Sequence, residues 1–271
     1  MTELERAAKL ISSAGALLVC AGAGMGVDSG LPDFRGDKGF WQAYPPYAEL
    51  GLEFVTLANP RHFAVDPSLA WGFYGHRLEL YRETVPHEGF RLLLEWGAAT
   101  PGGVWAFTSN VDGQFQRAGY SQVVEAHGSI HHLQCVDQCG SGIWPASVSV
   151  SVDPETMRAV SELPSCHSCG GLARPNILMF DDYSWESART DAQMSGLTSW
   201  RRAQRDLVVI ELGAGQAVPT VRRYAELASA ATGALIRVNP REPSIRHDRG
   251  ISLASGALET LTAINALLTS P

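Results

Sequence analysis

The chain contains no run of lysine or arginine. Acidic side chains outnumber basic ones, 28 Asp+Glu against 21 Lys+Arg, for a net charge of −7. A protein that grips a phosphate backbone normally shows a basic patch or stripe, so no nucleic-acid partner is expected. The pairs Arg201–Arg202 and Arg222–Arg223 read as solvated helix faces. No apolar stretch approaches the ~20 residues that span a bilayer, so no membrane association is expected. The opening stretch MTELERAAKLISSAG carries glutamates where a secretory leader is basic and reads as an amphipathic helix. A cytoplasmic location is therefore expected. Charged residues are only 18%, which argues against long disordered tails. Cysteine is scarce: five in a chain of this size do not suit a disulfide framework. No internal repeat or low-complexity tract is present.

What the chain does have is apolar material, 45% of 271 residues, enough for one large α/β domain with or without an insert. Residues 16–21 (ALLVCA) form a short continuous apolar run, the pattern of a strand buried on both faces. Similar runs occupy residues 104–109, 123–126, 207–212 and 234–239. Helical patterns fall at 2–13, 113–118, 188–204, 219–231 and 256–268. Strands alternating with helices predict a doubly wound parallel sheet of the Rossmann-like kind. Two stretches break the alternation. Residues 37–100 are rich in aromatics and predict a helical insert. Residues 131–186 carry Cys, Pro, Gly and Ser with little helical pattern and predict a metal-stapled, zinc-ribbon-like module. The expected division is a discontinuous nucleotide-binding domain (1–36, 101–130, 187–271) and a small domain made of the insert and the module.

The first strand runs into Gly22-Ala23-Gly24. Glycines after a buried strand let backbone approach a pyrophosphate, and the amides that follow donate to it. Asn110 and Asp112 alternate just past the second strand, so an extended chain sets both on one side. Cys135-x3-Cys139 and Cys166-x2-Cys169 supply four thiolates in two close pairs. Four soft ligands suit a closed, structural Zn²⁺ site. His131, His132 and His167 are competing ligands nearby. Cys20 sits mid-strand as a buried apolar residue. In the insert, Tyr74 and Arg77 stand three apart and share a helix face. An arginine fork there can take a terminal carboxylate, with the tyrosine hydroxyl adding a bond. An aromatic core stripe is the alternative.

The segment GAGMGVDSGLPDFRG (22–36) resembles the cofactor loop of the sirtuins, the NAD-dependent protein deacylases. Later segments follow in the same order: Thr108-Ser109-Asn110-Val111-Asp112-Gly113 with Arg117-Ala118-Gly119, Glu125-Ala126-His127-Gly128, the cysteine pairs, Leu212-Gly213-Ala214-Gly215 with Val218-Pro219, and Val238-Asn239. The resemblance spans about residues 4–268. It implies that the chain cleaves NAD to nicotinamide and passes the acyl group of an acyl-lysine protein to ADP-ribose. His127 would be the general base, an imidazole that titrates near neutrality. Asn110 would orient ribose and a water, and Asp112 the nicotinamide amide. Asp33, Phe34 and Arg35 would form a mobile cover over NAD. Ser109, Gly213, Ala214, Gly215, Asn239 and Ala257 would complete the cofactor contacts, Asn239 at the adenosine ribose. Tyr74 and Arg77 resemble the pair of the branch that removes succinyl and similar acidic acyl groups.

The chain also departs from the pattern. Gly26 replaces a serine, Ser109 a glutamine, and Ala214 and Gly215 a Thr-Ser pair. Asp181 stands where the family has glycine, which adds bulk and charge where a substrate peptide should pair. Two other readings of the same residues follow: ADP-ribosyl transfer or NAD hydrolysis if peptide docking is blocked, and a non-catalytic NAD or ADP-ribose sensor. An intact base argues against the sensor.

Overall fold

The computed structural model describes residues 1–32, 40–42, 44–49, 51–245 and 249–270. β1 (Ala16–Ala21) explains the organisation of the larger part. Every one of its side chains is buried, and they alternate between two cores. Leu17, Val19 and Ala21 face one side; Ala16, Leu18 and Cys20 face the other. This is the period of two that a strand imposes. Burial of each leucine stabilises the fold by roughly 1.5–3 kcal/mol. β2 (Val104–Thr108) and β7 (Leu207–Leu212) flank β1, and the sheet runs β3-β2-β1-β7-β8-β9, every neighbouring pair parallel. Here β3 is Val123–Glu125, β8 Leu235–Val238 and β9 Ile251–Leu253. Counted by their order within this sheet alone, the strands run 3-2-1-4-5-6, the arrangement of dinucleotide-binding folds. The expected fold class is what is found.

Helices cover both faces. On one side lie α1 (Glu3–Ser12), α6 (Glu88–Ala98) and α10 (Ala257–Leu268). α1 starts at Thr2, whose hydroxyl and the Glu5 carboxylate form a reciprocal capping box. On the other side lie α8 (Ala188–Ala203) and α9 (Thr220–Ser229). The position of α6 corrects the sequence-based division. Residues 88–98 fall within the expected insert, yet Phe90, Leu93 and Trp96 are buried in the core of the parallel sheet, against α10 and β1. The amphipathic stripe of α6 marked it as a helix but not which core it serves.

A third core joins the rest of the insert to the cysteine module. Four helices, α2 (Pro45–Glu49), α3 (Phe54–Leu57), α4 (Arg61–Val65) and α5 (Pro67–Glu83), pack on an antiparallel sheet. That sheet has the order β5-β4-β6, with β4 Gly128–Cys135, β5 Ile143–Pro145 and β6 Ala173–Ile177. Asp66 caps α5 at the Leu69 amide and also holds Arg158 of the module at 2.8 Å. Trp71 donates to the Ala173 carbonyl at 2.9 Å. Helix and module meet so closely at Gly72 that a Cβ there would lie 2.0 Å from the Met157 oxygen. Phe40, Tyr44, Tyr47, Phe54 and Phe73 form a mutually stacked and edge-on aromatic cluster. Such pairs each add about 0.5–1.5 kcal/mol beyond their burial.

Candidate active site

In an open parallel sheet, ligands bind beyond the carboxyl ends of the strands where the order reverses. That point here lies between β1 and β7. Two glycine turns meet there. Gly22 N donates to Leu212 O at 3.0 Å, and Gly24 N to Gly213 O at 3.1 Å. A Cβ on Gly22 would stand 2.8 Å from the Ala214 Cα, and one on Gly213, which has φ +60°, 2.4 Å from the Gly24 Cα. Only glycine permits this approach.

A crevice of about 650 Å³ opens over this junction. Its sheet-side wall includes Gly22, Ala23, Ser109, Asn110, Asp112 and His127, together with residues 213–218. Asn110 is anchored by its amide, Nδ2 donating to Gly22 O at 3.0 Å. Asp112 accepts the Gln114 amide at 2.9 Å. Burial pushes the Asp112 carboxyl up to about 6, against the Gln114 amide, while the nearby Glu125 adds to the rise. The His127 imidazole lies 3.1 Å through Nε2 from Thr220 Oγ1, and burial holds its pKa below the ordinary value. Burial thus favours the neutral ring, the form that can accept a proton.

The loop over residues 213–218 is braced from behind. Arg222 Nη2 donates to the Ala214 and Glu242 carbonyls at 3.0 and 2.8 Å. Buried Arg237 and Glu211 form a two-pronged ion pair, both contacts 2.8 Å. Burying charge is tolerated only when it is paired in this way.

The opposite wall comes from the third core: Phe54, Ala58, Tyr74, Arg77 and Tyr81, then residues 177–180. Arg77 Nε donates to the Tyr81 hydroxyl at 3.0 Å, and its guanidinium lies 5.0 Å from the Phe73 ring centre.

A family profile described as the Sir2 family matches residues 22–208, more than half of the chain. The chain belongs to the Sir2 family. Among similar Sir2 proteins, an NAD-dependent protein deacylase of Thermus thermophilus is 31% identical, with 97% of this chain and 94% of that protein aligned. NAD-dependent protein deacylase 1 of Pseudomonas aeruginosa is 32% identical over 93% of this chain and 94% of its own length. A solved Sir2 homolog in complex with NAD superposes with a TM-score of 0.72 at 27% identity, covering 97% of this chain and 93% of that one.

Set beside the Sir2 pattern, the residues expected at the site divide into three groups. Those named on the crevice walls above are brought together. Gly24 lies behind the wall, bonded to Gly213. Asn239 and Ala257 stand off the crevice. Asn239 is fully buried: Nδ2 donates to Ala214 O at 3.0 Å, and Oδ1 accepts the Arg241 and Glu242 amides, both at 3.0 Å. This amide shapes the loop that carries Ala214 and Glu242. Ala257 opens α10, where Asp28 takes the Leu258 amide. Asp33, Phe34 and Arg35 lie outside the described residues. Asp181 has φ +55°, the left-handed conformation that suits the family's glycine. It is exposed at a turn, its carboxylate 3.4 Å from Asn59 Nδ2, and does not line the crevice. The exposed carboxylate follows directly on the crevice residues 177–180.

Sequence reasoning missed Tyr81, Arg241 and Glu242 on the crevice. Tyr81 was accessible to it, being four residues beyond Arg77 on one helix face.

The four cysteine sulfurs converge. Cys135 and Cys169 are 3.6 Å apart, Cys139 and Cys166 3.5 Å, and all four sulfurs lie within 4.8 Å of one another. Tetrahedral zinc with bonds of ~2.3 Å needs sulfurs about 3.8 Å apart, so the set fits Zn²⁺ in a closed structural site. Among the described residues no histidine joins the four sulfurs: His131 bonds the Asp112 carbonyl at 2.9 Å, and His167 packs edge-on to Trp144. His132 lies with Arg189 and Glu186 at a separate shallow cleft.

Proposed function

We propose that this Sir2 protein is an NAD-dependent protein-lysine deacylase, releasing nicotinamide and O-acyl-ADP-ribose. The observation that carries the reading is the convergence of His127, Asn110 and Asp112 on one crevice with both glycine turns. The turn at residues 22–24, Asn110 and the loop at 213–216 would hold NAD, which when bound supplies an anomeric carbon, nicotinamide as leaving group and ribose as acyl acceptor. Neutral His127 accepts a proton at Nε2 and returns it later, the task of a general base. Asp112, an anion above about pH 6, accepts from an amide leaving group. Asn110, tied to Gly22 O, orients what lies over the turn.

The acyl chain enters between the walls, toward Tyr74 and Arg77. These two favour an acyl group that ends in a carboxylate, since a guanidinium and a phenol hydroxyl together complement it. Leu178 and Val218 are partly exposed on opposite walls and offer an apolar seat for the substrate peptide. No described helix is long and apolar enough to cross a membrane. Thiolate ligands suit a reducing compartment, so we place the protein in the cytoplasm.

The test is nicotinamide release with and without acetyl- and succinyl-lysine peptides. Release should require peptide. His127→Ala should lower turnover by about 10²–10⁴-fold while NAD affinity stays within a few-fold. Release that ignores peptide would replace this reading with NAD hydrolysis.

A further inference from the structure

Helix α9 touches the site through three consecutive residues. Thr220, its first residue, is hydrogen-bonded to His127 Nε2 at 3.1 Å across 93 residues of sequence. Val221 lines the crevice. Arg222 clasps the Ala214 and Glu242 carbonyls. One helical turn therefore sets the imidazole and the glycine-bearing loop in a fixed relation. We propose that Thr220 is a positioning residue for the base: its hydroxyl holds the His127 ring in the working orientation before substrate arrives. The inference rests on the reading of His127 as general base.

The chemistry suits the task. A hydroxyl both donates and accepts, so it can hold Nε2 whether that nitrogen carries the proton or not. A ribose hydroxyl is the same functional group. When the crevice fills, a ribose hydroxyl meets an Nε2 already aimed at a hydroxyl, and the Thr220 hydroxyl is released to solvent or to the ribose. The ring then does not search rotamers at the moment of proton transfer, which is the benefit of a preorganised site. Thr220 belongs to the helix that also fixes the loop, so the ring is aligned to that loop rather than merely buried.

The experiment compares Thr220→Val and Thr220→Ser with the wild-type chain. In the NAD-free protein labelled with ¹⁵N-histidine, Thr220→Val should move the His127 Nε2 resonance and average its tautomers; Thr220→Ser should not. In the peptide-dependent assay, Thr220→Val should lower kcat about 5- to 10-fold, the range of one net hydrogen bond, with the Kd for NAD within about twofold. Thr220→Ser should recover most of the rate, a rescue that a purely structural defect would not show. An unchanged kcat in Thr220→Val, a serine variant as slow as the valine, or a loss confined to NAD affinity would each overturn the proposal. Should His127→Ala retain turnover, the base assignment falls and the inference with it. With His127→Ala inactive, a wild-type rate in Thr220→Val sinks the inference alone.

Discussion

The two walls of the crevice are made of different material. The sheet side is largely backbone: glycine turns in contact, carbonyls clasped from behind by Asn239 and Arg222. The far side is largely side chain: aromatic rings, the Arg77 guanidinium and the Tyr81 hydroxyl. Where such a wall offers its backbone with room for a side chain, residue identity can change, so Ala214 and Gly215 can stand in place of hydroxyl residues, whereas Gly22 and Gly213 cannot be replaced. A side-chain wall is rewritten by one substitution, so discrimination between acyl groups belongs there. The walls also differ in support. The sheet rests on long hydrogen-bonded ladders and two apolar cores. Between Cys139 and Cys166 the module has one short strand and an isolated bridge.

That last contrast has the largest expected effect. Zinc sites in small modules are worth on the order of 10 kcal/mol. Stripping the metal with a chelator should make residues 136–172 sensitive to protease while the parallel sheet keeps its circular-dichroism signal. A single cooperative collapse of the whole chain would erase the distinction between the walls.

A smaller effect tests the sheet side. Asp112 binds its proton more tightly folded, near pH 6, than unfolded, near pH ~3.9. Between these values the folded state holds more protons, so this group's contribution to stability falls as pH rises through the window, by on the order of 3 kcal/mol in all. Asp112→Asn should remove that decline in denaturant titrations run from pH 4 to 7. The acid limb of nicotinamide release near pH 6 should disappear with it. Identical pH profiles for both proteins would return Asp112 to a purely structural turn.

The smallest effect sharpens the far side. Arg77→Met should shift the ratio of succinyl to acetyl rates by roughly 10- to 100-fold, the range for hydrogen bonds to a charged group. An unchanged ratio would reduce that wall to packing.

Much of this was legible in the chain itself. ALLVCA announced a buried strand because both of its faces meet apolar cores. The cysteine pairs announced a metal because spacing alone brings thiols together. The antiparallel sheet was not legible. GSIHHLQC and ARPNI bury polar groups: Asn176 bonds Gln134 at 2.9 Å, and Arg174 is locked to Asp182 at 2.8 and 2.9 Å. Their apolar alternation is thereby broken. α5 buries residues almost all round, so no single stripe named its partner. β9 has three residues, too few for any pattern. The bonds of Asn239 to the Ala214 carbonyl and the Arg241 and Glu242 amides were not legible, because residue type at a strand end does not disclose which neighbours its amide will meet. The Thr220 contact depended on tertiary distance alone.

β4 begins one residue after His127 and ends at Cys135. It is a rod of about 25 Å with proton chemistry at one tip and thiol chemistry at the other. Its pairing with β6 shifts between Ser129 and Leu133, a kink that keeps the rod from sliding, since a slip of one residue would turn every side chain over. A metal held by the four sulfurs would therefore tether the far end of the strand that starts beside the imidazole.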